Sequence, residues 1–93
     1  MKIVKPLGVL DKNTGPDLLG KIVKLLDETT SDVWIDCELV TFMDSAGLGF
    51  LIQAFKHARS LECNLHLCRV NCQLRTVLEL TSADRILLIH EHQ

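Results

Sequence analysis

Apolar residues return every three or four positions in three stretches of this chain. The first stretch begins near Thr14 and ends near Thr29–Thr30, the second covers residues 45–61, and the third follows Asn71, which is expected to cap it. This spacing places the apolar side chains on one face of a helix and the polar ones on the other. The chain is therefore predicted to form three amphipathic helices, each packed by its apolar face against a sheet.

Short runs rich in β-branched and aliphatic residues lie between the helical stretches and predict strands. They are Ile3–Val4, Val33–Cys37, Leu65–Val70 and Arg85–Ile89. Because Pro6 lacks a backbone N–H, the first strand is expected at the edge of a sheet or at a bulge. The second run is almost continuously apolar, which is typical of a strand that is covered on both faces.

Strands and helices alternate along the sequence, and this alternation favours an α/β fold with helices layered on a sheet and right-handed crossovers. A chain of 93 residues has room for one hydrophobic core. We therefore expect a single domain over residues 1–93, without internal repeats.

The stretch Val40–Arg59 joins a further predicted strand to the second helix. Asp44 and Ser45 stand at the junction, and side chains of both types accept hydrogen bonds from the first turn of a helix. Gly47 and Gly49 follow within that turn, although glycine costs a helix about 0.5–1 kcal/mol relative to alanine. We therefore expect another backbone or a partner to approach this turn closely.

Ser45 has two interpretations at this point. It is either a helix cap or an exposed hydroxyl that a kinase modifies at the positive end of a helix dipole. A phosphate adds a charge of about −1.5 to −2, which the neighbouring Asp44 opposes by repulsion. Phosphorylation would thus change the charge of a surface without unfolding the domain. Phe50, further along the helix, is expected to be core or half-covered, or else an exposed anchor for a partner.

The net charge of −2 argues against a nucleic-acid-binding protein, because no basic patch is available to bind phosphates. The hydrophobic content of 47% is that of an ordinary globular domain. No apolar run approaches the roughly 18 residues of a membrane span, and no signal peptide opens the chain. We expect a cytoplasmic protein with no direct insertion into a membrane.

The sequence contains no nucleotide-binding loop, metalloprotease motif or hydrolase motif. Ser45 also lacks a histidine at a recognisable catalytic spacing, so an enzyme is not expected. His66 alternates with apolar residues and has no evident acidic partner, and His90 and His92 belong to a polar tail that is expected to fray.

The cysteines give no sign of a metal or cofactor site. They are Cys37, Cys63, Cys68 and Cys72. Their spacing matches neither a CxxC pair nor the usual zinc arrangements. In a reducing compartment they are expected to be free thiols.

Three motifs in consistent order give the chain a resemblance to a known family. Residues 40–49, VTFMDSAGLG, resemble the signature of STAS domains, the family of bacterial anti-sigma-factor antagonists. Gly8–Asp11 looks like the GxLD segment before the first helix of the family. Residues 77–86 are similar to the segment that joins its last helix to its final strand. The resemblance runs from Gly8 to Ile89.

The resemblance implies a small mixed β-sheet with helices packed on it, and a role as a protein-binding switch. The unphosphorylated antagonist captures an anti-sigma factor that is also a serine kinase. That kinase phosphorylates the antagonist and ends the capture, and a PP2C-type phosphatase restores it. Carried onto this chain, the phosphoacceptor is Ser45. The partner-binding surface is expected to contain Asp11, Asn13, Asp44, Ser45, Ala46, Gly47, Leu48, Gly49 and Phe50.

Two further expectations accompany this resemblance. Family members usually carry another strand before the GxLD segment, whereas only a few residues precede Gly8 here. A sheet edge is then open to self-association or to a partner. STAS-like proteins also serve as non-phosphorylated subunits of complexes such as lipid-transport ATPases, and in that alternative Ser45 is only a helix cap.

Overall fold

The computed structural model describes residues 2–28 and 31–90. Within these ranges the strands are β1 Lys2–Val4, β2 Gly8–Leu10, β3 Val33–Asp36, β4 Val40–Met43, β5 Leu65–Cys68 and β6 Leu88–His90. The α-helices are α1 Gly15–Glu28, α2 Ser45–Ser60 and α3 Cys72–Leu80. The predicted α/β class is confirmed.

The strands form two sheets. In the larger sheet β1, β3, β5 and β6 lie side by side in this order, and β2 pairs with β4 in the smaller one. Every strand pair among the described residues is parallel, because a crossover connection and not a hairpin joins the members of each pair. The resemblance implied a mixed sheet instead. The position of β1 at one edge agrees with the expectation from Pro6.

Helices α1 and α2 pack on the sheets through the faces that the apolar spacing predicts. Their buried side chains are Leu18, Ile22, Leu26, Leu48, Leu51, Ala54, Phe55 and Ala58. From β3 and β5, Val33, Ile35, Leu65 and Leu67 complete the core. The predicted end of α1 near Thr29–Thr30 lies outside the described residues. No helix within residues 2–28 and 31–90 is long and apolar enough to cross a membrane.

The final strand begins later than the sequence predicts. Instead of a strand over Arg85–Ile89, the chain forms a 3₁₀ turn at Ala83–Arg85 and enters β6 only at Leu88. The backbone N–H of Leu87 donates to the carbonyl of Ala83, and its side chain is buried. Because this N–H already donates within the turn, Leu87 does not pair with β5 in the sheet. Its side chain packs in the hydrophobic core instead.

The expectations for His66 and His90 are wrong. His66 Nε2 lies 3.0 Å from a carboxylate oxygen of Asp32, and its Nδ1 lies 3.0 Å from Nε2 of His90. The His66 ring stacks on Trp34 with centroids 4.4 Å apart. The hydrogen bond with His66 is the main reason that the pKa of Asp32 lies below its ordinary value. His90 belongs to β6 and not to a frayed tail, while His92 lies outside the described residues.

All four cysteines are free, and Cys37, Cys63 and Cys68 are buried. Burial raises the pKa of the Cys37 thiol to about 12, so it is neutral under physiological conditions. Among the described residues, no three side chains of histidine, cysteine, aspartate or glutamate form a group that suits a metal ion.

Asp36 is a buried carboxylate at the carboxyl end of β3, with 5% of its surface exposed. Burial by itself raises its pKa. Hydrogen bonds from the Arg69 guanidinium and from the backbone N–H of Glu38 outweigh burial, and the pKa lies below its ordinary value. Lys5 also lies 3.9 Å from this carboxylate. Asp36 at the end of β3 thus binds Lys5, which follows β1, and Arg69, which follows β5.

We expect acid to destabilise the domain partly through Asp36. A carboxyl group whose pKa is lowered by folding adds stability above its ordinary pKa of 3.8, and this stability is lost as the pH falls through the folded value. Asp36→Asn should be less stable near neutral pH and show a weaker loss of stability between about pH 5 and pH 3. Urea unfolding of both proteins across this range measures the difference, and parallel pH profiles would contradict the assignment.

Candidate functional site

The candidate site lies where β2 and β4 end. Because these strands are parallel, their carboxyl ends meet at the same edge, with Leu10 opposite Met43. The backbone N–H of Asp44 donates to the carbonyl of Leu10 over 3.2 Å. Asp11 and Asp44 directly follow the two strands. They are therefore brought to the same edge, although Leu10 and Met43 are 33 positions apart along the chain.

Asp44 is the cap of α2. Its carboxylate accepts a hydrogen bond of 2.9 Å from the backbone N–H of Gly47, and its carbonyl accepts from Leu48. Its backbone is extended, as caps require. The expectation of a helix start at Asp44 or Ser45 is confirmed, whereas the interpretation of Ser45 as the cap is wrong, since Asp44 fills that role.

Ser45 is the first residue of α2 and is exposed to solvent. Its hydroxyl has no hydrogen-bond partner within residues 2–28 and 31–90. The first backbone N–H groups of a helix have no partner inside the helix, and together with the dipole they favour a negative group nearby. Ser45 thus presents a free hydroxyl at the positive end of a long helix.

Gly47 is the position at which another backbone approaches α2. A Cβ atom on this residue would lie 2.2 Å from the carbonyl oxygen of Leu10, which leaves room for hydrogen alone. Gly49 is different, because a Cβ atom there would meet nothing within 4 Å. The expected close approach is confirmed for Gly47, and the approaching segment is β2 of the same chain.

The turn between β2 and α1 is organised by the carboxylate of Asp11. One of its oxygens accepts hydrogen bonds from the backbone N–H groups of Asn13, over 2.8 Å, and Thr14, over 3.1 Å. The bond from Asn13 is the largest reason that the pKa of Asp11 lies below its ordinary value. The Thr14 hydroxyl donates to the carbonyl of Val9. This turn is therefore fixed beside Asp44, with the carboxylate of Asp11 ionised.

Phe50 is half-buried, and its ring covers Gly15 at the start of α1. A Cβ atom on Gly15 would overlap the ring at 2.0 Å. The interpretation of Phe50 as core or half-covered is thus correct. Its ring therefore packs the start of α2 against the start of α1, which directly follows the turn that Asp11 holds.

The expected partner-binding residues divide into a surface set and a buried pair. The exposed or partly exposed ones are Asp11, Asn13, Asp44, Ser45, Ala46, Gly49 and Phe50, while Gly47 and Leu48 are buried. Gly47 and Leu48 belong to the packing that holds the surface in place, because neither presents a side chain to solvent.

Two side chains of the third helix region, Asn71 and Gln73, hold β4 in place, and their contacts with β4 were not predicted from the sequence. The amide of Gln73 accepts from the backbone N–H of Met43 and donates to its carbonyl, each over 2.8 Å. Asn71 caps α3, as predicted, and its amide also donates to the carbonyl of Val40. Gln73 therefore completes the hydrogen bonding of Met43, two residues before Ser45, as a neighbouring strand would.

We expect Gln73→Ala to lower the free energy of unfolding by about 1–2 kcal/mol, because two backbone groups of Met43 lose their partners. Gln53→Ala is the matched control. Gln53 is exposed on α2, and its replacement should stay within about 0.5 kcal/mol of wild type. Urea unfolding measures both variants, and equal stabilities would show that water satisfies Met43 as well as Gln73 does.

An exposed apolar patch on β2 and β4, the strands that lead to the site, was also missed. Val9 of β2 and Phe42 of β4 are opposite each other in the strand register, and they are 41% and 46% exposed. We call this pair the apolar platform. An exposed strand face is recognised in a sequence by the alternation of apolar and polar residues. Strands of three and four residues are too short to show this alternation.

Comparison with known proteins gives the family. A family model described as the STAS domain matches residues 1–93. The chain belongs to the STAS-domain family. The family resemblance drawn from residues 40–49, Gly8–Asp11 and residues 77–86 is confirmed.

The STAS domain has curated relatives in staphylococci. It is 30% identical over 88 residues to an anti-sigma-B factor antagonist of Staphylococcus epidermidis, with 95% of this chain and 82% of that protein covered. It is 27% identical, with the same coverage, to the anti-sigma-B factor antagonist of Staphylococcus aureus strain NCTC 8325.

Solved structures share the fold of this STAS domain. A Thermotoga maritima protein assigned as an anti-sigma factor antagonist has a TM-score of 0.87 at 23% identity, over 98% of this chain and 78% of that chain. The anti-sigma factor antagonist SpoIIAA in its unphosphorylated form has a TM-score of 0.73 at 17% identity, over 98% and 79%. At these identities the likeness concerns the fold alone.

Proposed function

We propose that this STAS domain is an anti-sigma-factor antagonist whose binding is switched off by phosphorylation of Ser45. The observation that carries the proposal is the exposed, unpartnered hydroxyl of Ser45 on a helix that Asp44 already caps. Because the Ser45 side chain does not cap α2, its modification would leave the hydrogen bonds that start the helix intact. The staphylococcal relatives, which are anti-sigma-B factor antagonists, support the binding part of the proposal.

The unphosphorylated form would bind an anti-sigma factor that is also a serine kinase. Its contact surface would combine the exposed residues around Ser45 with the apolar platform of Val9 and Phe42. Aromatic side chains are enriched at the centre of interfaces, where a few anchors that become buried supply much of the binding energy. Polar groups such as Asn13 and Asp11 would surround them and fix the orientation of the partner.

Phosphorylation would reverse this binding by changing charge. The kinase would transfer the γ-phosphoryl group of ATP to the Ser45 oxygen, which gives up its proton, and ADP would leave as the β–γ phosphoanhydride bond breaks. The phosphoserine carries about −1.5 to −2 charges. The start of α2 favours the new anion, so the fold tolerates it. The partner would meet it next to Asp44 and Asp11, and like charges at a contact without water oppose binding. A PP2C-type phosphatase would restore the neutral hydroxyl.

The experiment that tests the proposal is intact mass measurement, with peptide mapping, of the protein isolated from its native cells under several growth and stress conditions. We expect a fraction that carries one phosphate, located on Ser45 and absent from Ser45→Ala. Phosphate on another residue, or none under any condition, would contradict the proposal. In the second case, co-purification with a membrane ATPase would favour the alternative of a non-phosphorylated subunit in a lipid-transport complex.

A charge at position 45 is expected to weaken the binding of an anti-sigma factor, captured from native cells with the wild-type chain as bait. We expect Ser45→Asp to bind it at least about tenfold more weakly, and Ser45→Ala to bind it within about twofold of wild type. Gln53→Glu adds the same charge on an exposed position of α2 and should bind normally. Isothermal titration calorimetry measures all three, and equal affinities of the two Ser45 variants would exclude the charge mechanism.

A further inference from the structure

Asp32, His66 and His90 form a chain of hydrogen bonds beside Trp34 in the larger sheet. We propose that the contact between His66 and His90 is a pH-sensitive switch at the end of β6. The contact holds while the two rings share one extra proton at most, and it opens when they bind a second. This contact involves neither Ser45 nor its surroundings and is therefore independent of the proposed function.

The sheet register places the three rings on one face. Trp34 of β3 pairs with His66 of β5, which pairs with Leu88 of β6, and His90 lies two residues beyond Leu88. Successive side chains of a strand point to opposite faces, and the residues on either side of Trp34 and His66 are buried in the core. The rings therefore lie on the face of the sheet opposite to the core. The His66 side chain is only 14% exposed, so neighbouring groups and not bulk water determine its hydrogen bonds.

The three rings pack closely against each other. The Trp34 indole stacks on His66 with centroids 4.4 Å apart and an angle of 12° between the planes. Its centroid is 4.5 Å from that of His90, and the two imidazole centroids are 5.1 Å apart. Trp34 is the single tryptophan of the chain. Its fluorescence therefore reports on both imidazoles without interference from another indole.

The positions of the hydrogens in the neutral pair follow from Asp32. The hydrogen bond with His66 is the main reason that the pKa of Asp32 lies below its ordinary value, and the carboxylate also accepts from the backbone N–H of Asn64 over 2.9 Å. Since an ionised carboxylate only accepts, Nε2 of His66 carries the hydrogen at this 3.0 Å contact. Nδ1 of neutral His66 is then bare, and it accepts from the Nε2–H of His90 over 3.0 Å.

A first extra proton leaves both hydrogen bonds intact. It enters at Nδ1 of His90, which is the unprotonated nitrogen of that ring. One hydrogen still lies between the rings, whether the positive charge stays on His90 or moves to His66 as that hydrogen crosses the 3.0 Å gap. On His66 the charge is stabilised by the carboxylate of Asp32 and by the face of the stacked indole.

A second extra proton is incompatible with the contact. Both nitrogens of both rings then carry hydrogens, so Nδ1 of His66 and Nε2 of His90 face each other as two donors at 3.0 Å. Two positive charges at this distance also repel. The rings must therefore separate as the second proton binds.

The groups around the rings, within residues 2–28 and 31–90, give the second charge no counter-ion. Asp32 binds the opposite edge of the other ring. Cys68 is the register partner of His90, and burial raises the pKa of its thiol, which therefore stays neutral. Asp36 is next in the same row of the sheet, and its carboxylate already binds Arg69.

Opening affects β6 because this strand lies at one end of the sheet and has only three residues. Its pairing with β5 ends at Cys68 and His90. In the unfolded chain the two imidazoles bind protons independently, so below the second step the unfolded state holds more protons than the closed domain. Stability therefore falls as the pH decreases through the second step, and the end of β6 loosens with it.

The test follows the histidine rings and Trp34 of the full chain from about pH 8 to about pH 4. Ring ¹⁵N NMR shifts show which nitrogens carry hydrogens, and tryptophan fluorescence reports the stacking. We expect Nε2–H on both His66 and His90 at the upper pH. The two rings should then bind two protons in steps at least about one pH unit apart, with the larger fluorescence change at the second.

The backbone amides locate the opening. At the second step the amide shifts of β6 should change while those of α1 and α2 stay as they are. A single step for both rings, Nδ1–H on His66 at the upper pH, or unfolding of the whole domain at the second step would overturn the proposal.

Substitution of His90 distinguishes the two rings from the other groups that titrate. His90→Gln places an amide there, which can donate to His66 or accept from it but binds no proton. It should show a single step on His66, retain the stacking on Trp34 and lose the low-pH change at β6. His57→Gln, which removes a histidine that binds Asp27 over 2.8 Å, should keep both steps. If His90→Gln retains the low-pH change, or His57→Gln abolishes it, the contact of the two rings is not the switch.

Discussion

Gly47→Ala is expected to destabilise this domain by about 3 kcal/mol or more, because the added methyl group overlaps a backbone that cannot withdraw. The methyl carbon would lie 2.2 Å from the carbonyl oxygen of Leu10 and 2.6 Å from its carbonyl carbon. Relief requires β2 and α2 to separate, which also breaks the hydrogen bond between Asp44 and Leu10. Urea unfolding measures the loss.

Gly49→Ala is the matched control, two positions along the same helix. A methyl group there meets nothing within 4 Å. Alanine is the better helix former, so the variant should gain about 0.5–1 kcal/mol. The opposite signs at two neighbouring glycines distinguish a steric effect at Gly47 from a general intolerance of α2. Equal effects at both positions would contradict the packing of β2 on Gly47.

The second large effect concerns the apolar platform and depends on the proposed function. We expect Phe42→Ala to weaken binding of the co-purified anti-sigma factor by about 2 kcal/mol, or roughly 30-fold. Phe42 lies three residues before Ser45, and Val9 stands opposite it on β2. A large aromatic group that remains 46% exposed in the free domain gains most of its burial from a partner.

Leu80→Ala serves as the control for this measurement. Leu80 is 81% exposed at the end of α3, far along the chain from the candidate site, and its loss should leave the affinity unchanged. Thermal unfolding must show Phe42→Ala folded under the conditions of the titration. If Phe42→Ala and Leu80→Ala bind alike, the partner does not contact the apolar platform.

Helix caps were predictable from the sequence, but at the start of α2 the sequence could not decide between Asp44 and Ser45. Asn71 could be identified as a helix cap because capping is a local interaction. The side chain of the cap accepts a hydrogen bond from the backbone N–H three residues later, here that of Leu74. At the start of α2 two adjacent residues satisfied the same rule. The choice between them depends on where β4 ends, and strand ends are set by pairing with β2.

Contacts between segments that are distant along the chain could not be predicted from the sequence. Gln73 meets Met43, and Asp32 meets His66, across separations of 30 and 34 positions. Both contacts follow from which strands are neighbours and in what register. The resemblance to a family supplied the fold class, the phosphoacceptor and a partner-binding surface as expectations, but it carried no statement about Gln73, Asp32 or His66.

The parallel pairing of every described strand also bears on how the domain folds. Even the nearest strand partners, such as His66 and Leu88, are 22 positions apart, so no hairpin can form early and guide the rest. Folding must close long loops before the sheets gain their hydrogen bonds, which is slow compared with helical domains of similar size. An isolated peptide of residues 40–59 would accordingly lack β2, and with it the turn of Asp11 beside Asp44. The proposed phosphorylation of Ser45 should therefore be assayed on the folded chain.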